Sequence, residues 1–342
     1  MNIETVRYHP WYRAIAMLII TCLAIAFSSS CDTRREIYED DTISVNVTLD
    51  WEPAGIRPVG TTLWFFPHTE GRTPKVLRTN GLKDRINLPR DLYSVLVFNE
   101  TESDHDYISF RGTDHYETFE AYVSPIPNTT VKTESIYDMP DMLAVARMEK
   151  LDLRRMAHPV TEEPVYLTFV PTPLVAVGTL NVYLHGMDNV RLRSSRVTLS
   201  GMAQSINLAT EKVSDSGVTH AFGFSNRQFS EGSFTDGTMT ANCWTFGACA
   251  NVAVPCIVNL YLGLRDGTAF TPIVRNISNQ MRASGLKTRV HSTFCIEFGT
   301  GATADDPIIT IPYVPDNEES GSGFDATIDD WGKETEITIP MS

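Results

Sequence analysis

The stretch TISVNVTLDW, Thr42–Trp51, alternates apolar and polar side chains without a break. Every odd-numbered residue from Ile43 to Trp51 is apolar, and every residue between them is polar. Successive side chains of a strand point to opposite faces, so this spacing places all the apolar groups on one side. Valine, isoleucine and threonine are also common in strands. The stretch therefore predicts a strand that buries one face.

The rest of the chain carries many short segments of the same kind, separated by turn-forming residues such as Asn80-Gly81, Ser200-Gly201 and Asp266-Gly267. One exception, Pro140–Arg155, predicts a short helix before a strand. Many short strands with few helices favour an all-β fold of β-sandwiches. The further predicted strands are Thr61–Phe66, Ser94–Phe98, Val165–Val170, Leu180–Leu184, Val197–Leu199, Ile257–Leu264, Thr268–Val274, Thr293–Phe298 and Ile308–Ile311.

The chain length predicts two domains, because single cores rarely extend over this many residues. The chain has 342 residues. The paired prolines in VPTPLVAVG interrupt the strand pattern and place a domain boundary near Pro171–Gly178. We therefore expect one β-sandwich over residues 42–171 and a second over residues 172–342. The stretch EESGSG, Glu318–Gly323, has the composition of a short linker.

Residues 1–30 have the three-part pattern of an export signal. Arg7 and Arg13 form a basic leader, the run Ala14–Phe27 is apolar apart from one threonine, and Ser28–Ser30 are small. A helix of that apolar run would span only ~21 Å, short of the ~30 Å hydrocarbon core of a bilayer. A cleaved signal peptide is therefore favoured over a transmembrane anchor or a buried helix.

Cys31 stands where the small-residue cleavage site ends and resembles the lipobox cysteine of bacterial lipoproteins. The resemblance implies that Cys31 becomes the mature N-terminus and carries acyl chains such as palmitate. Ser28 departs from the leucine that is usual three positions earlier. The polar residues 32–41 would give the lipidated end a flexible tether, so residues 31–41 are interpreted as a tether. Plain secretion with cleavage nearby is the alternative.

The net charge bears on nucleic acid as a partner, and the cysteine spacing bears on zinc binding. The net charge of −14 disfavours nucleic acid as a partner, because phosphate binding requires a basic surface. The spacing of the four downstream cysteines matches no zinc motif. Disulfides and buried free thiols both agree with the sequence at this point. These cysteines are Cys243, Cys249, Cys256 and Cys295.

Motifs for enzymatic chemistry are missing from the sequence. It contains no HExxH, GxSxG or Walker loop. The polar groups Asp104-His105-Asp106 and Asp114-His115 are interpreted as solvated loop residues. We therefore expect a non-enzymatic protein without a metal or other cofactor. A surface carbohydrate-binding protein is the alternative function, and it would require exposed aromatic residues; Trp331, in an acidic tail, is the tryptophan most expected to be exposed.

A series of motifs across the chain resembles the fimbrillin-like lipoproteins of Bacteroidetes, and within them a subfamily of unassigned function. The resemblance implies two tandem transthyretin-like, Greek-key β-sandwiches exported to the outer membrane as a lipoprotein. The motifs are RREIY (34–38) after Cys31, VTLDW (47–51), GTTLWFFP (60–67), LPRDLYSVLVFN (88–99), TPLVAVGTLNVYL (172–184), LSGMAQSINLAT (199–210), LGLRDGT (262–268) and GFDATIDDWGKETEITIP (323–340).

Members of this family are fimbrial shaft subunits, tip adhesins or anchors, according to the same resemblance. In shaft subunits an Arg-specific protease removes the first strand, and a neighbouring subunit donates a strand to the groove. Arg57, in the loop EPAGIRPVG, is the candidate processing site here, but Pro58 follows it and disfavours cleavage. In the C-terminal segment, Ile337 and Ile339 alternate as in a strand. We favour a closing edge strand there over a donor strand.

The resemblance thus predicts an anchor, accessory subunit or adhesin of a fimbria, lipid-anchored in the outer membrane and exposed at the cell surface. Its expected partners are the membrane, through Cys31, and other fimbrial subunits, through strand addition. A host or bacterial surface protein or glycan is a further candidate partner.

Overall fold

The structure is a computed structural model, and it describes residues 42–131, 134–154, 165–188, 191–283, 293–304 and 306–314. The signal peptide, Cys31, the tether, Trp331, Ile337 and Ile339 lie outside these residues.

The chain divides into two compact units. Of the described residues, the small unit contains 42–43 and 87–90, and Leu88 in it is fully buried. The large unit comprises residues 44–86 and 91–342 and holds nearly all the described strands.

Strands make up most of the described chain. One short α-helix, α1 (Ser278–Ala283), and two 3-10 turns at Glu52–Ala54 and Tyr116–Thr118 are the helical elements among the described residues. The strands before residue 140 are β1 (Thr42–Leu49), β2 (Thr61–Pro67), β3 (Lys75–Thr79), β4 (Lys83–Pro89), β5 (Leu92–Asn99), β6 (Ser109–Arg111), β7 (Glu120–Tyr122), β8 (Pro125–Val131) and β9 (Glu134–Tyr137).

The later strands include the longest in the chain. They are β10 (Ala144–Asp152), β11 (Val165–Phe169), β12 (Thr172–Pro173), β13 (Ala176–His185), β14 (Leu192–Ala203), β15 (Ser205–Asn207), β16 (Gly217–Phe222), β17 (Asn226–Phe229), β18 (Gly237–Thr245), β19 (Ile257–Leu264), β20 (Ala269–Asn276), β21 (Thr293–Phe298) and β22 (Ile309–Thr310).

The strands form five sheets. Two of them contain only strands from before residue 175, with the orders β11-β1-β4 and β12-β10-β5-β2-β3. A third has the order β17-β18-β13-β21, with β22 also pairing with β13. The remaining two, β20-β19-β14-β16-β9-β8 and β15-β7-β6, join early strands to late ones. The protein is therefore all-β with β-sandwich-like domains, as the alternating pattern predicts.

Apolar side chains from the four sheets other than β11-β1-β4 pack into a continuous core. Aromatic rings concentrate around Phe119, which is fully buried. The ring of Trp64 meets it edge-on, with centroids 5.1 Å apart, and the ring of Phe98 does so at 5.9 Å. Edge-to-face contacts of this kind contribute roughly 1 kcal/mol each beyond area burial.

The predicted helix at Pro140–Arg155 is wrong, because this segment contains β10. The residues Leu143–Ala146 are buried, and β10 lies between β12 and β5 in its sheet. Consecutive residues at the start of β10 are buried, so both faces are covered there and the sequence loses the alternation by which a half-buried strand is recognised. Sheet pairing here outweighs the modest helix preference of the segment.

The predicted turn at Ser200-Gly201 is also wrong, because β14 continues through it. The pairing of β14 with β16 shifts register between Leu199 and Met202, which marks a bulge. Gly201 has a φ of 75°, and a Cβ atom there would lie 2.4 Å from the carbonyl oxygen of Pro255. Glycine is thus required by the bulge and not by a chain reversal.

The predicted hairpin at Asp266-Gly267 is confirmed. It joins β19 and β20, with Leu264 accepting the backbone N–H of Gly267 at 3.1 Å. The predicted domain boundary near Pro171–Gly178 stays a prediction, and pairing between early and late strands crosses it: β9 runs parallel to β16, and β7 pairs with β15.

Candidate functional site

The first strand, β1, is the described element that the family resemblance associates with assembly. In its sheet it lies between β11 and β4. Its inward side chains Val45, Val47 and Leu49 are 0%, 2% and 3% exposed. Burying each of these side chains contributes roughly 2 kcal/mol. β1 is therefore part of the hydrophobic core.

Both backbone edges of β1 are paired. On one edge the segment Val45–Leu49 runs parallel to Val165–Phe169 of β11, residue for residue. On the other edge the last residue of β1 donates its N–H to the carbonyl oxygen of Leu82 at 2.8 Å. Arg85 on β4 also donates from Nε to the hydroxyl of Ser44 at 2.7 Å. Removing β1 would leave β11 and β4 as the two walls of an open groove.

Arg57 lies in the loop that joins β1 to β2. The loop passes through the 3-10 turn Glu52–Ala54 and then through Gly55, whose φ is 68°. Arg57 is exposed and Pro58 is half-buried. A proline lacks the backbone N–H and holds the residue before it in an extended conformation. Cleavage after Arg57 stays a prediction.

A cavity of about 330 Å³ lies beside this loop, and its wall is acidic. Arg57 lines the cavity together with four carboxylates. A wall of this charge favours a cation, and the guanidinium of Arg57 supplies one. The four carboxylates belong to Glu100, Asp104, Asp106 and Asp141.

The interpretation of His105 as a solvated loop residue is wrong. Its side chain is fully buried beside the acidic cavity. Nε2 lies 3.2 Å from the carbonyl oxygen of Asn99, and Nδ1 lies 3.9 Å from Oδ2 of Asp141. The sequence could not indicate this burial, because flanking aspartates make the segment look fully polar. Among the described residues no cluster of histidine, cysteine and carboxylate side chains has the geometry of a metal site.

The four described cysteines are free thiols, which decides between the two alternatives left by the sequence. Cys243, Cys249 and Cys256 are buried, whereas Cys295 is exposed. Burial raises the pKa of Cys243 to about 12 and also raises the pKa values of Cys249 and Cys256. A nucleophilic cysteine needs a lowered pKa, so these three thiols suit packing and not catalysis.

The described tryptophans do not form an exposed stacking surface. Trp51 is buried, and Trp64 and Trp244 are half-buried. Nε1 of Trp64 donates to Oε1 of Glu102 at 3.0 Å, which fixes the ring at the edge of the aromatic core.

A second cavity, of about 210 Å³, lies between the start of β14 and the edge strand β17. Two arginines line it, Arg193 and Arg227. Its other polar groups are serine hydroxyls and the amide of Asn226. Sequence reasoning missed this cavity. The available signal was the run RLRSSR, residues 191–196, which sets three basic side chains at and just before the start of one strand of an acidic protein.

No helix in the described part of the chain has the length and the apolar character needed to cross a bilayer.

Comparison with solved structures identifies the class of fold. The chain is similar to a crystal structure of a provisionally named adhesin from Bacteroides ovatus, with a TM-score of 0.58 and 17% identity over 83% of this chain and 98% of that one. It is also similar, with a TM-score of 0.46 and 11% identity, to the fimbrial anchor protein Mfa2 from Porphyromonas gingivalis, over 78% of this chain and 95% of that one. The first of these similarities shows a shared all-β fold.

The chain belongs to the family described as domain of unknown function DUF5119, which it matches over residues 30–223. It is also 30% identical over 164 residues to a Bacteroides ovatus protein that is provisionally named fimbrium anchoring subunit Fim4B. That match covers 46% of each protein, so the chain matches about half the length of this relative. Together these similarities confirm the fimbrillin-like resemblance that the motifs indicate.

Proposed function

We propose that this protein is a non-enzymatic anchoring or accessory subunit of a fimbria, or an adhesin within one, held at the outer membrane by lipid on Cys31. The name of the Bacteroides ovatus relative supports a fimbrial role. The observation that carries the proposal is the position of β1, which is buried and paired on both edges.

The position of β1 favours an anchor over a shaft subunit. A shaft subunit gives up its first strand so that a neighbour can fill the groove. Here the strand is followed by an arginine that Pro58 protects from cleavage, and loss of β1 would expose the apolar groups of Val45, Val47 and Leu49. A subunit that keeps β1 has a closed groove and stays attached to its lipidated N-terminus.

Contact with other fimbrial subunits would then use an edge elsewhere in the protein, because an unpaired strand edge accepts an added strand. The segment with Ile337 and Ile339 would close an edge of the protein's own fold. A host or bacterial surface protein or glycan is the proposed partner of an adhesin role.

The lipid on Cys31 accounts for the proposed location. Each buried CH₂ group contributes about 0.8 kcal/mol, and stable anchoring takes more than one acyl chain. The segment 32–41 would hold the folded domains at the outer membrane surface, within reach of other subunits.

Fractionation of cells tests the anchor. In Cys31→Ala we expect the protein to leave the outer membrane fraction. Cys295→Ala is the matched control, because it removes an exposed cysteine that lies outside the proposed lipidation site and should not affect membrane attachment. Retention of Cys31→Ala in the outer membrane would contradict lipid anchoring.

The mass of the mature protein tests the role of β1. We expect a chain that begins at Cys31 with its acyl groups, and we expect Arg57→Ala to begin at the same residue, with its mass changed only by the substitution. Pro58→Ala should make the loop more susceptible to an Arg-specific protease. A wild-type chain that begins at Pro58 would overturn the anchoring role in favour of a shaft subunit.

A further inference from the structure

The cavity between β14 and β17 differs from the rest of this acidic protein in its charge. Arg193 and Arg227 line it, and none of the described residues in its wall is acidic. The chain as a whole has a net charge of −14. Two guanidinium groups at one cavity therefore create a local site for an anion on a surface that otherwise repels anions.

We propose that this cavity binds the carboxylate of an acidic sugar residue, of the hexuronate or sialate class. Guanidinium groups bind carboxylates through two parallel hydrogen bonds, which fixes orientation as well as charge. This binding function is additional to fimbrial anchoring and does not depend on it.

Arg227 is held in position before any ligand arrives. Its Nη2 donates to the carbonyl oxygen of Met187, and its Cζ lies 6.0 Å from the ring centroid of Phe229. Its Nε is buried and has no hydrogen-bond partner in the described part of the chain. A buried donor without a partner is unfavourable, and an anion bound close to this guanidinium would offset part of that cost.

Burial lowers the pKa of Arg227 from its ordinary value, because the charged form loses hydration. An anion bound in the cavity would oppose this effect. Arg193, in contrast, is exposed at the rim, where it can approach the ligand from solvent.

The neutral groups in the wall favour a sugar over a simple anion. Ser195, Ser225 and Asn226 place hydroxyl and amide groups around the arginines. The hydroxyl of Ser225 donates to the carbonyl oxygen of Thr240 at 3.2 Å and therefore keeps lone pairs that can accept from a ligand. Such groups suit the hydroxyls of a sugar ring.

Size and apolar surface agree with a single sugar residue. The volume of about 210 Å³ is below the range of roughly 300–1,000 Å³ that holds a drug-sized ligand. Phe224 lines the cavity, and Phe229 stands beside Arg227 with 41% of its surface exposed. Both rings offer apolar surface to the CH groups of a sugar.

Isothermal titration calorimetry, with each probe titrated into the purified protein, tests this proposal. The probes are N-acetylneuraminic acid and galacturonic acid, with galactose as the neutral match and inorganic phosphate as the simple anion. We expect binding of at least one acidic sugar, no comparable binding of galactose or phosphate, and weaker binding at high salt. A short aspartate-rich peptide tests an acidic protein as the alternative ligand.

Two variants locate the site. Arg193→Ala removes an exposed side chain and should weaken binding roughly tenfold or more. Arg227→Lys keeps the charge and removes the planar fork, and it should also weaken binding. Arg78→Ala, on β3 in another sheet, is the matched control and should leave affinity unchanged.

Four results would overturn the proposal. They are equal affinity for galactose, tighter binding of phosphate, tighter binding of the peptide, and unchanged affinity for the acidic sugar in Arg193→Ala. Because Arg193 is exposed, misfolding is not expected to obscure the result, and the thermal midpoint of each variant checks this point.

Discussion

The strands β1 and β21 have the same alternating sequence pattern and very different surroundings. Each buries one face: β1 does so with residues such as Val45, and β21 with Phe294, Ile296 and Phe298. The outward residues differ, since those of β1 are half-buried and those of β21 are exposed. Alternation therefore specifies which face of a strand is buried, and the position in the sheet specifies how much of the other face is covered.

The backbone edges of the two strands are covered in different ways. β1 has β11 and β4 as neighbours, whereas β21 pairs with β13 alone among the described strands. On β21 two carbonyl oxygens accept hydrogen bonds from side chains instead. Arg275 Nη1 donates to the carbonyl of Glu297, and Gln280 Nε2 donates to the carbonyl of Cys295. Side chains thus satisfy an edge that no described strand covers.

The largest expected effect is that of a charge placed inside β1. Val45→Asp puts a carboxylate at a fully buried position between two strands. We expect a loss of more than about 4 kcal/mol in the free energy of unfolding, because a buried charge without a partner is among the most destabilising changes. Urea unfolding followed by circular dichroism measures it.

Asn46→Asp is the matched control for this variant, since it adds the same charge to the outward face of the same strand. Its effect should be less than a quarter of that of Val45→Asp. Similar losses in both variants would show that β1 is not held by its inward face.

A smaller loss of stability is expected when low pH protonates His220, which lies on β16, another strand with neighbours on both edges. β16 lies between β14 and β9, and Nδ1 of His220 donates to the carbonyl oxygen of Tyr137 at 3.2 Å. Burial lowers the pKa of His220 from 6.5 to about 4. The unfolded chain therefore binds more protons between these values, and stability falls as the pH falls through that window, by about 3 kcal/mol in total.

His220→Asn separates this effect from the titration of carboxylates, because asparagine keeps a donor for Tyr137 but does not titrate. Urea midpoints at about pH 7 and about pH 4 should differ more in the wild type than in the variant. Parallel pH profiles for the two proteins would exclude His220 as the source.

The smallest of the three effects is expected on the edge strand. Ile296→Ala removes a side chain that is 2% exposed on β21 and should lower stability by about 2 kcal/mol, near the lower end for such truncations, because an edge can collapse into the space. Glu297→Ala, on the outward face, should change stability by less than about 0.5 kcal/mol. Urea unfolding measures the loss in the free energy of unfolding for each variant. A larger loss in Ile296→Ala than in Val45→Asp would reverse the comparison.

The parts of the fold that sequence predicted well are those in which local pattern and tertiary position agree. β1, the hairpin at Asp266-Gly267 and β21 follow this rule. β10 does not, because burial on both faces removes the alternation and leaves a segment that resembles a helix. The bulge at Gly201 does not either, since the same glycine serves a turn or a bulge and only the approach of Pro255 distinguishes them.

The candidate site divides in the same way. Arg57 is a candidate from sequence because it follows β1 along the chain, and Pro58 next to it is the local signal against cleavage. The acidic wall around it and the buried His105 come from loops distant in sequence. The cavity of Arg193 and Arg227 joins the start of β14 to β17 across two sheets, so the run RLRSSR could indicate a basic segment but not the cavity that it lines.

The sequence alone determined the all-β class, the buried face of β1 and the candidate roles of Cys31 and Arg57. The class and the buried face follow from side-chain spacing within about ten residues, which the geometry of an extended chain fixes. The candidate roles of Cys31 and Arg57 are what the family resemblance implies for those residues. Only the tertiary structure decided which strands have two neighbours, which cysteines are buried and which charges share a cavity. Those properties depend on pairing between segments far apart in the chain, and pairing is selected by the whole core and not by any one segment.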